Sequence, residues 1–167
     1  AGSHTVIPIT DCKIQPEAAE TIRAAVLSWM EKENVPAYDE RTHTGLVRHI
    51  YLRYGAKSGQ TLVCTVANCE ALPKKKALVR EILAADVDVT GIVVNYNTKK
   101  SNVILGDRFD TLFGEEYLED ELLGLTFRLS PAAVYQVNHD QAERLYEKAI
   151  EFARFTGEET ALDLYCR

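Results

Sequence analysis

Gly45-Leu-Val-Arg-His-Ile-Tyr-Leu-Arg-Tyr-Gly-Ala-Lys-Ser-Gly-Gln-Thr-Leu-Val-Cys-Thr-Val-Ala67 is the stretch that decides the fold class. Residues 45–54 and 60–67 are rich in β-branched and aromatic side chains, and the Gly55-Ala-Lys-Ser-Gly59 segment between them is a turn signal. The stretch therefore reads as a hairpin. Upstream, Pro16 suits the first turn of a helix, and Ala18, Ile22, Ala25, Val26, Trp29 and Met30 recur at helical spacing as far as about Glu33. The first fifteen residues alternate weakly and read as an edge strand running into a turn.

Downstream, Pro73 opens a second helix with Ala77, Leu78, Ile82, Leu83 and Ala85 on its inward stripe. Residues 91–96 then read as a strand, and short β-like runs follow at 102–105, 109–113, 117–123 and 125–129, with Gly106, Gly114 and Gly124 supplying turns. Two strands, a helix, then several strands with tight turns favour an α+β fold over a βαβ series, with a mainly antiparallel sheet and flanking helices. Asn138 is placed to cap a third helix, Gln141 three positions later suits a capping box, and Ala142, Leu145, Tyr146, Ala149, Phe152 and Ala153 form an apolar stripe up to a stop at Gly157. Thr160-Ala-Leu-Asp-Leu-Tyr-Cys166 reads as a short buried strand. In a Rossmann-like domain such a strand leads to a glycine-rich turn and a helix N-terminus that holds the cofactor, whereas here only Arg167 follows. The expected organisation is a substrate domain over 1–137, then a linking helix and the first strand of a truncated domain over 138–167.

Composition sets the outer limits. The 167 residues are 46% hydrophobic and 26% charged, an ordinary globular balance, and no apolar run approaches the roughly 20 residues that span a bilayer. A cytoplasmic protein with no membrane partner is expected, and Cys12, Cys64, Cys69 and Cys166 show no disulfide-like framework. A net charge of −6 argues against a generic nucleic-acid binder. The charge is uneven, however: acid gathers at Glu115, Glu116, Glu119, Asp120 and Glu121, while Arg41, His43, Arg48, His49, Arg53, Lys57 and the lysines at 74–76 and 99–100 are basic. Either these are solvated faces or they build one positive surface on an acidic protein. Strand alternation points Arg48 and His49 to opposite faces, so at most one of them belongs to any single binding surface.

Six segments in order, Ala1-Gly-Ser-His4 with Asp11-Cys-Lys-Ile-Gln15, Gly45-Leu-Val-Arg-His49, Asn95-Tyr-Asn-Thr-Lys99, Asn102-Val-Ile-Leu-Gly106, Tyr135-Gln-Val-Asn138 and Ala161-Leu-Asp-Leu-Tyr-Cys166, resemble the RumA/TrmA family of RNA uracil-5-methyltransferases. Within it, the 23S ribosomal RNA branch is the most similar. The resemblance implies a central α/β domain that lies between a nucleic-acid-binding barrel and an S-adenosylmethionine-binding domain. It implies a reaction in which a cysteine adds to uracil carbon 6, carbon 5 takes the methyl group, and a base removes the proton, with nucleophile and base in the C-terminal domain. No catalytic residue is therefore expected here, and the isolated piece is expected to be inactive.

What the resemblance carries over is a set of binding roles. Gln136 is placed in the active-site cleft against the methyl donor or the target base, which a carboxamide can meet with one donor and one acceptor edge. Asp163 and Tyr165 fall on the cofactor-binding strand, although the glycine that the family has after Cys166 is replaced by Arg167. Tyr135 is a candidate to stack on an extruded base, and Arg48, Arg53 and Lys99 are candidates for RNA phosphate contacts. Members with a 4Fe-4S cluster take one cysteine from a segment that resembles the one ending in Cys12, so Cys12 is a candidate ligand in the parent and a free thiol in this piece. Two alternatives stay open: transfer RNA as substrate, and a non-catalytic RNA-binding or assembly module.

Overall fold

The computed structural model describes Ile9, residues 12–162 and Leu164. Its elements run α1 (Ala18–Lys32), β1 (Val47–Tyr54), β2 (Thr61–Ala67), α2 (Lys75–Leu83), β3 (Gly91–Tyr96), β4 (Arg108–Gly114), β5 (Leu118–Leu122), β6 (Leu125–Leu129) and α3 (His139–Ala153). The α+β class is as expected. The main sheet has the order β1-β2-β3-β4 and β5-β6 is a separate hairpin. Antiparallel pairing dominates, as the turn signals indicate, but the central pair β2/β3 is parallel and is joined through α2. One βαβ crossover thus sits inside a sheet whose remaining pairs are antiparallel, because a helix of nine residues between two fully buried strands returns the chain to the same end of the sheet.

Period-2 alternation along the buried central strands feeds two layers. Val63 and Ala67 of β2 with Ile92, Val94 and Tyr96 of β3 face α1 and α2, where they meet Ile22, Val26, Trp29, Leu78 and Ile82. Leu62, Cys64 and Val93 face the other way and meet Leu118 and Leu129 of the β5-β6 hairpin. Both faces of β2 and β3 are covered, which is why these strands read as near-continuous apolar runs. Trp29 ties the helices together: its ring is fully buried and its indole N–H donates to the Lys74 carbonyl at 3.3 Å, the N-cap position of α2.

The run at 102–105 is not a strand. Its backbone is held by side chains in place of a ladder: Asn97 Nδ2 donates to the carbonyls of Val103 at 2.7 Å and Ile104 at 3.0 Å, and Asn95 bonds Gly106 through both edges of its carboxamide. The helix stop also comes earlier than Gly157, at Arg154, which caps α3 in the left-handed conformation with φ 50°. Of the expected terminal strand, Asp163, Tyr165 and Cys166 lie outside the described residues, as does most of the expected N-terminal edge strand; Ala161, Leu162 and Leu164 are in coil or turn. No helix among the described residues is long and apolar enough to cross a membrane.

Candidate functional site

Residues 130–138 form the corner that leads from β6 into α3, and side chains from β1, from β5 and from the start of α3 fix it. From β1, Arg53 donates through Nη2 to the carbonyl oxygens of Pro131, at 3.2 Å, and Ala133, while its guanidinium lies over the Tyr51 ring at 5.1 Å. From β5, the buried Asp120 carboxylate accepts the Tyr135 hydroxyl at 3.0 Å. At the helix entry, Asn138 Oδ1 accepts from the Gln141 N–H at 3.3 Å, the cap expected from its position, and the buried His139 donates from Nε2 to the Glu121 carbonyl at 2.8 Å. Gln136 itself is exposed, between Val134 and Val137, at 77% and 69% exposure.

Asp120 also closes the β1-β2 turn. Its two oxygens accept the successive N–H groups of Ala56 at 3.1 Å, Lys57 at 2.9 Å and Ser58 at 3.1 Å, a concave cradle of backbone dipoles filled by a carboxylate. Gly55 keeps this approach open, because a Cβ there would meet Ser58 Oγ, which would have to turn away, and stand 3.1 Å from Asp120 Oδ1. Burial alone pushes the Asp120 carboxyl up, but the bonds from Lys57, Ser58 and Tyr135 outweigh it and hold the group below the usual aspartate range. Burial first, and then the same contact, pushes the Tyr135 phenol up, so it stays a protonated donor. Sequence reasoning counted Asp120 only as part of an acidic run. The available signal was alternation: Asp120 shares its strand face with Leu118 and Leu122 and so points inward.

Two concavities flank the corner. One, of about 940 Å³, runs beside edge strand β1 between the start of α1 and the corner, and Arg23, Arg48, His49, Arg53, Tyr135 and Gln136 are among its lining residues. The other, of about 380 Å³, lies under the β5-β6 hairpin against Phe109, Tyr117, Arg128 and Pro131. The expected segregation of Arg48 from His49 does not hold, since both line the first groove. A bulge between Val47 and His49 leaves Arg48 unpaired in the ladder and breaks the alternation.

The bulge aims Arg48 at the loop after β3. Its guanidinium donates to the carbonyls of Asn97 at 2.9 Å, Lys99 at 2.7 Å and Ser101 at 3.2 Å, and lies 4.5 Å from the Tyr38 ring centroid. Arg48 and Arg53 therefore point their donors at backbone carbonyls. Lys99 is exposed and pairs with Asp107 at 2.8 Å, a surface pair of small energetic weight. His49 is shifted down, first by burial and then by the neighbouring Arg48 charge, which favours its neutral form. Cys12 is half-buried at the groove, and no group of three or more His, Cys, Asp or Glu among the described residues could hold a metal ion. Cys64 is buried, and burial pushes its thiol up to about 12, so it is an inert core side chain. Asp163 and Tyr165, the other expected cofactor residues, lie outside the described residues.

No family model matches the chain. It is 39% identical over 165 residues to a Bacillus cereus protein named an uncharacterized RNA methyltransferase, and 41% identical over 166 residues to one of the same name from Listeria monocytogenes. Each alignment takes in 99% of this chain and 36% of the relative, so the chain spans about a third of the length of the curated relatives it matches. Among solved structures it is similar to the Pyrococcus abyssi tRNA (uracil-54, C5)-methyltransferase in complex with S-adenosyl-L-homocysteine, with a TM-score of 0.73 and 23% identity over 88% of this chain and 35% of that one. That likeness shows the fold. Nearly all of this chain thus corresponds to a part of proteins named RNA methyltransferases.

Proposed function

We propose that the chain is the central part of an S-adenosylmethionine-dependent RNA (uracil-5-)-methyltransferase acting on 23S ribosomal RNA, with residues 1–137 as its substrate domain and residues 138–167 as the link to the cofactor-binding domain. The observation that carries the reading is the corner itself. A carboxamide, Gln136, is exposed at a large groove on a corner that is held by Arg53, by the buried Asp120 and by the buried His139, just before a helix whose apolar stripe is bare. Leu145, Ile150 and Phe152 of α3 are 64%, 56% and 77% exposed, and such a stripe fits the remaining two thirds of a chain as long as the relatives.

In this reading Gln136 closes one wall of the cofactor cleft and meets the methyl donor or the target base. The carboxamide fits either task, because it offers a donor and an acceptor and is exposed at the groove. S-adenosylmethionine supplies the methyl group, and the nucleophile and the base belong to the rest of the protein. Arg53 serves RNA through the corner that it holds, and Tyr135 through its hydroxyl contact as well as its ring. Cys12 is a free thiol here, and as a 4Fe-4S ligand it would act only in the parent, with the other thiolates supplied from outside the described residues. The Pyrococcus abyssi neighbour acts on transfer RNA, which keeps that substrate as the second reading.

The deciding experiment is methyl transfer by the full-length protein on unmodified ribosomal and transfer RNA, with 5-methyluridine counted by nucleoside mass spectrometry. Product on ribosomal RNA that falls about a hundredfold in Gln136→Ala is expected, the size of effect seen when one oriented polar group is removed from a reacting centre. Product on transfer RNA alone would move the assignment to the second reading. Binding of structured RNA without any methylated product would leave a non-catalytic module.

A further inference from the structure

We infer that Asp120 is a positioning residue for the site: through the Tyr135 hydroxyl it fixes the corner that presents Gln136. This inference rests on the proposed role of Gln136 and adds the element that gives that side chain its place. Asp120 is 2% exposed, and a buried carboxylate needs full compensation. It has four donors, three from the β1-β2 turn and one from Tyr135. The turn bonds link segments more than sixty residues apart, and Tyr135 is the residue immediately before Gln136.

The contact is selective. The corner has Val134, Gln136 and Val137 exposed, so among these four residues the half-buried Tyr135 alone is an anchor, and its ring also lies 6.2 Å from Phe127 and 6.3 Å from His139. A hydrogen bond to a charged group is among the stronger ones a protein makes, and losing it frees the corner without emptying the core. Asp120 also stands 3.8 Å from His139 Nε2, the second residue of the corner's helical end. One carboxylate thus ties the hairpin turn to the residue that immediately precedes Gln136.

Two variants test this. Tyr135→Phe removes the hydroxyl and leaves the ring; Asp120→Asn keeps the size and shape of the carboxylate but loses its charge and one acceptor edge. NMR backbone order parameters of the 167-residue chain give the first readout. Values at 134–137 are expected to drop from about 0.85 to below about 0.6 in both variants, with β2 and β3 unchanged. Values that stay high at 134–137 in Tyr135→Phe would overturn the inference, because a merely stabilising contact does not change local order in the folded state. Methyl transfer by the full-length protein gives the second. Each single variant is expected to lose about tenfold in kcat/KM for RNA, and the double variant no more than either alone. Additive losses would make Asp120 and Tyr135 independent and overturn the inference. An inactive wild-type protein would instead refute the methyltransferase reading, and the order parameters would still decide the role of Asp120.

Discussion

α1 and α3 are both fifteen residues long and both amphipathic, yet they end in opposite conditions. α1 buries Ile22, Val26 and Trp29 completely against the sheet and α2. α3 buries only His139 and Ala142, at its first turn, and leaves Leu145, Ile150 and Phe152 in solvent. The difference teaches that a helical stripe records a demand for a partner without saying where the partner is. For α1 the demand is met within the chain. For α3 it is met, among the described residues, only where the Asp120 network reaches the helix entry.

The sharpest way to break this contrast is to truncate one side chain from each helix. Trp29→Ala removes a fully buried ring and the N–H that bonds Lys74, and is expected to cost about 3–5 kcal/mol in urea denaturation. Phe152→Ala is expected to stay within about 0.5 kcal/mol, as for surface positions that make few contacts. Comparable losses at the two sites would mean that α3 is packed as firmly as α1, and the contrast would fall.

A smaller effect is expected at Asn95, which lies on the closed side. Its carboxamide accepts the Gly106 N–H at 2.7 Å and donates to the carbonyls of Gly106 and Arg108 at 3.0 and 3.1 Å. Asn95→Ala leaves these groups without their partner and should cost about 2 kcal/mol, with the loop after β3 exchanging its amides faster. Here the limits of sequence reading are physical. Periodicity located α1, α2 and α3, and runs of β-formers bounded by turn residues located the strands β1 to β6. The latter signal assigned a strand to 102–105 because Val103 and Ile104 look like β-formers, while the contacts that hold that loop come from Asn95, Asn97 and Arg48, up to 53 residues away. The parallel pairing of β2 with β3 is equally non-local. At the corner, the exposed motif around Gln136 was legible and its anchors Asp120 and Arg53 were not, since those bonds span 15 and about 80 residues.

Acid offers a test at the boundary between the two regions. The folded-state pKa of Asp120 lies below its unfolded value, so the stability it contributes is present above about pH 4 and is lost as pH falls through the folded value. Urea titrations of the wild type and Asp120→Asn should therefore differ most near neutral pH and converge in acid. Parallel curves at all pH values would show that the carboxylate is not the charged acceptor its donors imply.

The smallest expected effect is also the one that separates a bare helix from an idle one. Leu145→Lys and Phe152→Lys put charge on the exposed stripe, where long polar side chains cost nothing in water, so the melting temperature of the 167-residue chain should barely move while its solubility rises. In the full-length protein the same substitutions would bury a charge against an apolar surface if α3 packs there, and a buried unpaired charge is costly. A loss of thermal stability in the longer protein alone would show that the stripe is met by the chain that carries it, and would set α3 beside α1 as a packed helix. Equal behaviour in the two chains would leave the stripe exposed in both, and the link proposed for residues 138–167 would then have to run through the Asp120 end of the helix alone.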